Sequence, residues 1–292
     1  MSTLHNSTKQ ILSITEYGKT IESCPLSVVI VTYKRNNDLV ECLNSLQAQS
    51  EDNFEIIVVD NGNDEHLFRI LQYYNLKYIR LRDNFRPSMG RNIGTEYARG
   101  DVVCFLDDDG IADTDFIKEH LLAYDKYEII GLRGRILPRT DTIYNYLQSH
   151  YDFGNDIKEF YISVEGNCSF KRDALLVSGG FDTELFGGEG LELSFRLVNL
   201  FGREKLIYYP KAIIYHDVAT GLGDYLEKVL RHERMRRKWR SKYPDILKYY
   251  YSYDWGTYRK LRPSPNIFRR LQVNTIRISV LLVIWIVRIL YH

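Results

Sequence analysis

The chain has 292 residues, 45% of them hydrophobic and 26% charged, an ordinary globular composition with room for one large or two modest domains. No internal repeat or low-complexity stretch is visible, and four cysteines without CxxC spacing argue against a zinc site or a disulfide framework and for reduced thiols. The net charge of +1 hides an asymmetry: residues 226–292 hold 16 Lys/Arg against 4 Asp/Glu, a net of +12, which leaves residues 1–225 at −11.

Residues 1–24 read as a polar lead-in, and MSTLHNSTKQ lacks the apolar core of a signal peptide. LSVVIVTY (26–33) is a continuous apolar, β-branched run, expected of a strand buried on both faces. A helix is expected over 36–49, with Leu39, Cys42, Leu43 and Leu46 on one face. Further strands are expected at 54–60, 76–82 and 101–107, with helices at 64–74 and 88–99 between them. This alternation predicts a parallel sheet wound in right-handed βαβ units. Residues 128–137 and 160–171 read as short strands around a Tyr-rich stretch, followed by a helix at 172–178. Gly179, Gly180, Gly187 and Gly188 bracket a loop before a helix at about 190–201. Two short strands are expected in 205–215 and a basic helix over 224–242. Pro263 and Pro265 mark a break before a final segment, 266–291.

In open α/β sheets ligands bind beyond the carboxyl ends of the strands, and the polar clusters of this chain fall there. They are Thr32-Tyr33-Lys34-Arg35, Asp60-Asn61-Gly62 and Asp107-Asp108-Asp109-Gly110, with Arg91 on the helix before the fourth strand. Three adjacent carboxylates repel one another unless a cation joins them. Hard oxygen donors on a loop suit Mg²⁺ or Mn²⁺ completed by substrate phosphates, although an isolated acidic turn is also a common solvated feature. Asp60 is a candidate acceptor for a base N–H, and Arg35 and Arg91 are candidates for phosphate or ribose. In FGGEGLELSFR (186–196), two glycines bring Glu189 to a helix entrance, where a carboxylate meets the positive end of the helix dipole. Glu192 lies three residues on and is placed to pair with Arg196 at i+4.

VVIVTYKR, EIIVVDNG, PSMGRNIGTEYARGDVVCFLDDDG, GNCSFKRDAL, SGGFDTELFGGEGLELSFRL and IYYPKAIIYH resemble, in order, the blocks of glycosyltransferase family 2 over about residues 26–217. The resemblance implies an α/β GT-A fold with a Rossmann-like, mostly parallel central sheet flanked by helices. It places a glycosyltransferase domain at 25–225, with a nucleotide-binding half at 25–110 and an acceptor-binding half at 111–225. The activity implied is metal-dependent, inverting transfer from a nucleotide diphosphate sugar, UDP-sugar favoured, to a hydroxyl of a glycan or lipid-linked acceptor in surface glycan or glycolipid biosynthesis. By position, Thr32, Tyr33 and Arg35 would line the nucleoside pocket and Asp60 would bind the base. Arg91 would meet the nucleotide, and Asp108 occupies the variable middle place of the DxD pattern. Asp107 would approach ribose and metal, and Asp109 would be the principal ligand of Mn²⁺ or Mg²⁺. Gly166 and Asn167 would lie by the transferred sugar, and His216 is a further candidate metal or diphosphate contact. The family usually reads Glu-Asp where this chain has Glu189-Gly190, which makes Glu189 or Glu192 the candidate catalytic carboxylate. Glu189-x-x-Glu192 also resembles a block of the retaining polypeptide N-acetylgalactosaminyltransferases. A sugar-nucleotide-binding pseudoenzyme or assembly subunit, and a nucleotidyltransferase, are the alternatives, although VTYKRNND lacks the glycines of a triphosphate loop.

Residues 226–292 read as a basic helical extension without a nucleic-acid recognition motif. ISVLLVIWIV (278–287) is apolar between Arg277 and Arg288, and as a helix spans roughly 15 Å, about half a hydrocarbon core. Basic and apolar residues together predict peripheral attachment of 266–292 to an anionic membrane surface on the cytoplasmic face; a core helix or a homodimer contact is the other expectation.

Overall fold

A computed structural model of the chain describes residues 8–19, 21–147, 151–252 and 266–290; the break expected at Pro263 and Pro265 lies outside them, as do Met1–Ser7 of the lead-in. Among the described residues ten strands form one sheet: β1 (Ile11–Tyr17), β2 (Leu26–Thr32), β3 (Phe54–Asp60), β4 (Leu76–Leu81), β5 (Val102–Leu106), β6 (Ile111–Ala112), β7 (Gly131–Leu137), β8 (Lys158–Glu159), β9 (Asn167–Lys171) and β10 (Leu206–Tyr215). Their order is β1-β4-β3-β2-β5-β9-β7-β10-β6, with β8 pairing β10. β4, β3, β2 and β5 are mutually parallel, as the four apolar runs predict. β9 enters antiparallel between β5 and β7, so the sheet continues unbroken into a mixed second half.

Helices cover both faces. α1 (Asn36–Gln47), α2 (Leu67–Leu71) and α4 (Phe116–Lys126) lie on one side, where Leu39, Leu43 and Leu46 pack with Val28, Ile30 and Val58. α3 (Arg86–Tyr97), α5 (Arg172–Ser178) and α6 (Glu189–Phe201) lie on the other, where Ile93, Leu175 and Leu193 pack with Val29, Val59 and Val103. The alternate residues of β2 thus feed two cores, the physical basis of its uninterrupted apolar run.

Three expectations are corrected. The lead-in contains β1, antiparallel to β4 from Tyr17–Leu76 to Ile11–Leu81. Most of β1 is exposed, so this edge strand shows no apolar run, and its partner lies some sixty residues downstream. β10 is one strand rather than two, because its pairing with β7 slips between Tyr208 and Ile213, around Pro210, and resumes. Within 160–171 only Asn167–Lys171 is extended in the sheet. α4, for which the sequence reading has no counterpart, buries Phe116, Ile117, His120 and Ala123.

His120 is fully buried, with Nδ1 2.8 Å from Ser169 Oγ and its ring edge-on to Phe116. Burial pushes its pKa from 6.5 down to about 3, so the folded chain keeps it neutral. The unfolded chain binds the extra proton below pH 6.5, so this stabilisation is complete above that pH and is lost as pH falls towards 3. Urea unfolding at pH 5 should show about 2 kcal/mol less stability from this group than at pH 7.5. His120→Gln should flatten that dependence; an unchanged slope would count against the assignment.

The C-terminal region forms α7 (Leu222–Lys242), α8 (Ile246–Tyr251) and α9 (Ile267–Leu290). Ile246 and Tyr249 of α8 pack among Phe160, Tyr161, Leu191 and Tyr208. Val280 of α9 joins a cluster with Val218, Ala219 and Tyr225, flanked by Tyr144 and Leu147. Arg269 pairs with Asp141. No helix among the described residues is long and apolar enough to cross a membrane.

Candidate active site at the carboxyl ends of the central strands

The parallel order of β3, β2 and β5 brings the segments after Thr32, Asp60 and Leu106 to one edge of the sheet. Thr32 ends β2 buried, and its hydroxyl donates to Asp108 Oδ2 at 2.8 Å. Tyr33 is exposed, and Lys34 takes a left-handed φ of 56°, uncommon for a side chain of its size. That turn directs Arg35 back over the aspartates, where Nη1 donates to Asp109 Oδ2 at 2.6 Å and lies 3.4 Å from Asp108 Oδ1.

Asp60 is fully buried. Its carboxylate accepts from the Gly62 and Asp64 amides at 2.8 and 2.9 Å and from Tyr78 Oη at 2.7 Å, which fixes the 60–64 turn. On the opposite side, Gly90 and Gly94 lay α3 directly on Val31 and Val29, since a Cβ at either position would come within 2.7 Å of them. Arg91, thereby held at the sheet edge, places Nη2 3.2 Å from Asp107 Oδ1 and stacks over Phe181.

The three aspartates are unlike one another. The Asp107 side chain is 45% exposed, whereas Asp108 is buried beneath Arg35 and Thr32. Burial, with Asp109 adding to it, pushes the Asp108 carboxyl up to about 7. Burial alone would raise Asp109 too. The hydrogen bond and charge of His216, with the charge of Arg35, outweigh it and hold Asp109 well below the usual carboxylate range. His216 follows β10, and its Nε2 lies 3.1 Å from Asp109 Oδ1. Burial opposes the His216 charge, but Asp109 and Asp107 raise its pKa above the ordinary value.

The floor of the cleft comes from β9 and the loop before it. A Cβ on Gly166 would lie 2.2 Å from Asp107 Oδ2, so the backbone passes directly against that carboxylate. Asn167 is buried and donates through Nδ2 to the Arg135 and Ala212 carbonyls, tying β9 to its neighbours. At the far wall, Gly188 takes φ 82° and starts α6, a left-handed turn that glycine adopts without strain and that sets Glu189 as the first helical residue. Glu189 is 5% exposed. Glu192 is 0% exposed. Arg196 donates through Nε and Nη2 to its two oxygens at 2.5 and 2.7 Å and reaches the Ser178 and Gly180 carbonyls.

The arrangement therefore gathers Thr32, Arg35, Arg91, Asp107, Asp108, Asp109, Gly166 and His216 into one linked cluster. Asp60 and Asn167 shape its turn and floor. Sequence reading missed Glu165, which accepts the Gly190 amide at 2.5 Å; the unusual Gly190 was its only signal. Asp107, Asp109 and His216 carry oxygen and imidazole donors of the types that divalent cations take. Among the described residues no three such groups close a protein-only metal cage.

A family model described as glycosyl transferase family 2 matches residues 27–176. An uncharacterized glycosyltransferase, YfnE, of Bacillus subtilis is 28% identical over 59% of this chain and 43% of its own length. The glucosyl-dolichyl phosphate glucuronosyltransferase of Haloferax volcanii is 29% identical over 54% of this chain and 56% of its own. The chain thus spans about half the length of these curated relatives. Among solved structures, S. aureus TarS 1–349 in complex with UDP-GlcNAc superposes with a TM-score of 0.56 at 20% identity, covering 72% of this chain and 66% of that one. The mannosyltransferase PcManGT of Pyrobaculum calidifontis, with GDP-Man and Mn²⁺, gives a TM-score of 0.57 at 15% identity, covering 80% and 67%. These two similarities speak for the fold, a mixed sheet between helices.

Proposed function

Because this chain belongs to glycosyl transferase family 2, we propose that it transfers a sugar from a nucleotide diphosphate sugar to an acceptor hydroxyl, with inversion, in the assembly of a surface glycan or glycolipid. The observation that carries this reading is the linked cluster at the carboxyl ends of β2 and β5, where two arginines and His216 surround three aspartates. Thr32, Tyr33 and Arg35 would border the nucleoside, with the Asp60 turn beneath the base, and Arg91 would meet the nucleotide. Gly166 and Asn167 would face the sugar. Asp109 and Asp107, with His216, would hold Mn²⁺ or Mg²⁺, which when bound offsets the charge of the diphosphate. Glu189, at the entrance of α6, is the acceptor-facing carboxylate that orients the hydroxyl, while Glu192 anchors the helix through Arg196. Release of nucleoside diphosphate from a panel of UDP-, GDP- and dTDP-sugars should require Mn²⁺ or Mg²⁺ and stop on addition of EDTA. A panel without any metal-dependent release would overturn the reading in favour of a binding subunit.

The membrane surface enters through α9. Ile267, Phe268, Leu271, Ile278, Leu281, Leu282 and Trp285 remain exposed while Val273 and Val280 are buried, so the helix is docked and still presents apolar side chains outward. With basic α7 alongside, this pattern suits an interfacial helix on anionic lipid. The chain should float with phosphatidylglycerol vesicles, and removal of residues 266–292 should abolish flotation. A dimer in solution that ignores vesicles would show that a second copy covers the face.

A further inference from the structure

We propose that Glu165 is the carboxylate that takes the proton of the acceptor hydroxyl, an assignment that rests on the glycosyl-transfer reading above. Glu165 precedes Gly166, whose backbone lies against Asp107, so it stands beside the diphosphate end of the cluster. Its Oε1 accepts the Gly190 amide at 2.5 Å in the first turn of α6, where the helix dipole favours an anion. A Cβ on residue 190 would lie 2.6 Å from that oxygen and 2.8 Å from the Ile162 carbonyl. Glycine at 190 is therefore what admits the Glu165 carboxylate to the entrance of α6, and the two positions share one space.

The surroundings suit a proton acceptor. Glu165 is half-buried, with Glu189 and Arg91 as its charged neighbours. Arg91 is already engaged by Asp107, so one guanidinium serves three carboxylates and leaves negative charge that a proton can neutralise. Burial, reinforced by Glu189, holds the Glu165 carboxyl above its ordinary range, the direction a base working near neutral pH requires.

In the step assigned here, the acceptor O–H bond breaks and its proton passes to Glu165. The electron pair of that oxygen forms the bond to the anomeric carbon. The bond from that carbon to the diphosphate oxygen breaks, and its electrons leave with the nucleoside diphosphate. Glu189, beside Glu165 at the entrance of α6, orients the hydroxyl. Water, as the smallest acceptor, is handled in the same way.

Hydrolysis of UDP-GlcNAc and of GDP-mannose, each with Mn²⁺, provides the test. Glu165→Gln should lower kcat by about 10²- to 10⁴-fold with the donor KM little changed, as for loss of a group acting in the transition state. Glu165→Ala should be as inactive, and the conservative Glu165→Asp, which keeps a carboxylate at the position, should run at least about tenfold faster than Glu165→Ala. A Glu165→Gln enzyme with the wild-type kcat overturns the assignment. If Glu165→Gln melts early, a Glu165→Asp enzyme no faster than Glu165→Ala overturns it instead. A wild-type chain that hydrolyses neither donor removes the glycosyl-transfer premise for both, a different outcome from an active wild type with an active Glu165→Gln.

Discussion

Asp109→Ala is expected to remove the Mn²⁺-dependent part of UDP binding, a loss on the order of 10²-fold or more in affinity. The carboxylate sits between Arg35 and His216, with one oxygen on each, so it is the point at which a cation would exchange with both side chains. Asp109, with Asp107 and His216, would hold a divalent ion there, and Arg35 would then be available to phosphate. Without the carboxylate, Arg35 and His216 repel a cation. The Arg35 side chain is 48% exposed and can solvate itself, so the fold should survive. Titration of UDP into wild type and variant, with Mn²⁺ and with EDTA, reads the difference directly. Equal affinity of the two proteins in Mn²⁺ would move the metal away from Asp109.

Arg196→Met is expected to destabilise the chain by about 3–5 kcal/mol, the range for removing one partner of a buried ion pair. Glu192 is 0% exposed and has both oxygens on Arg196, so the variant leaves a carboxylate in the core without its cation. It also strips donors from the Ser178 and Gly180 carbonyls, which close the loop leading to Gly187 and Gly188. The double variant Glu192→Met/Arg196→Met should regain much of the loss, because an apolar pair leaves no charge buried. Urea unfolding of the wild type, Arg196→Met, Glu192→Met and the double variant closes the cycle. A small cost for Arg196→Met, joined to lost hydrolysis in a well-folded Glu192→Gln, would assign Glu192 to the chemistry and not to the scaffold.

Much of this was legible in the chain itself, for a local reason. A strand buried on both faces is apolar at most positions, so 26–33, 54–60 and 101–107 announce themselves within eight residues, and 76–82 does so despite Lys77 and Arg80. A polar cluster that ends such a strand must lie at the sheet edge, so the sequence alone puts Thr32, Asp60 and Asp107–Asp109 there. The i+4 spacing of Glu192 and Arg196 likewise fixed their encounter once the helix formed. Tertiary structure decided what depends on long-range partners. β1 exists because β4 offers an edge sixty residues away, and its own pattern is too exposed to reveal a strand. The inequality of Asp107, Asp108 and Asp109 comes from Arg91, Thr32, Arg35 and His216, which the sheet brings in from elsewhere. Glu165 is the sharpest case: nothing in VEGNCSF marks a carboxylate as special. Only the fold lays it over Gly190, twenty-five residues on, because close packing lets two distant positions share a volume that one side chain can fill.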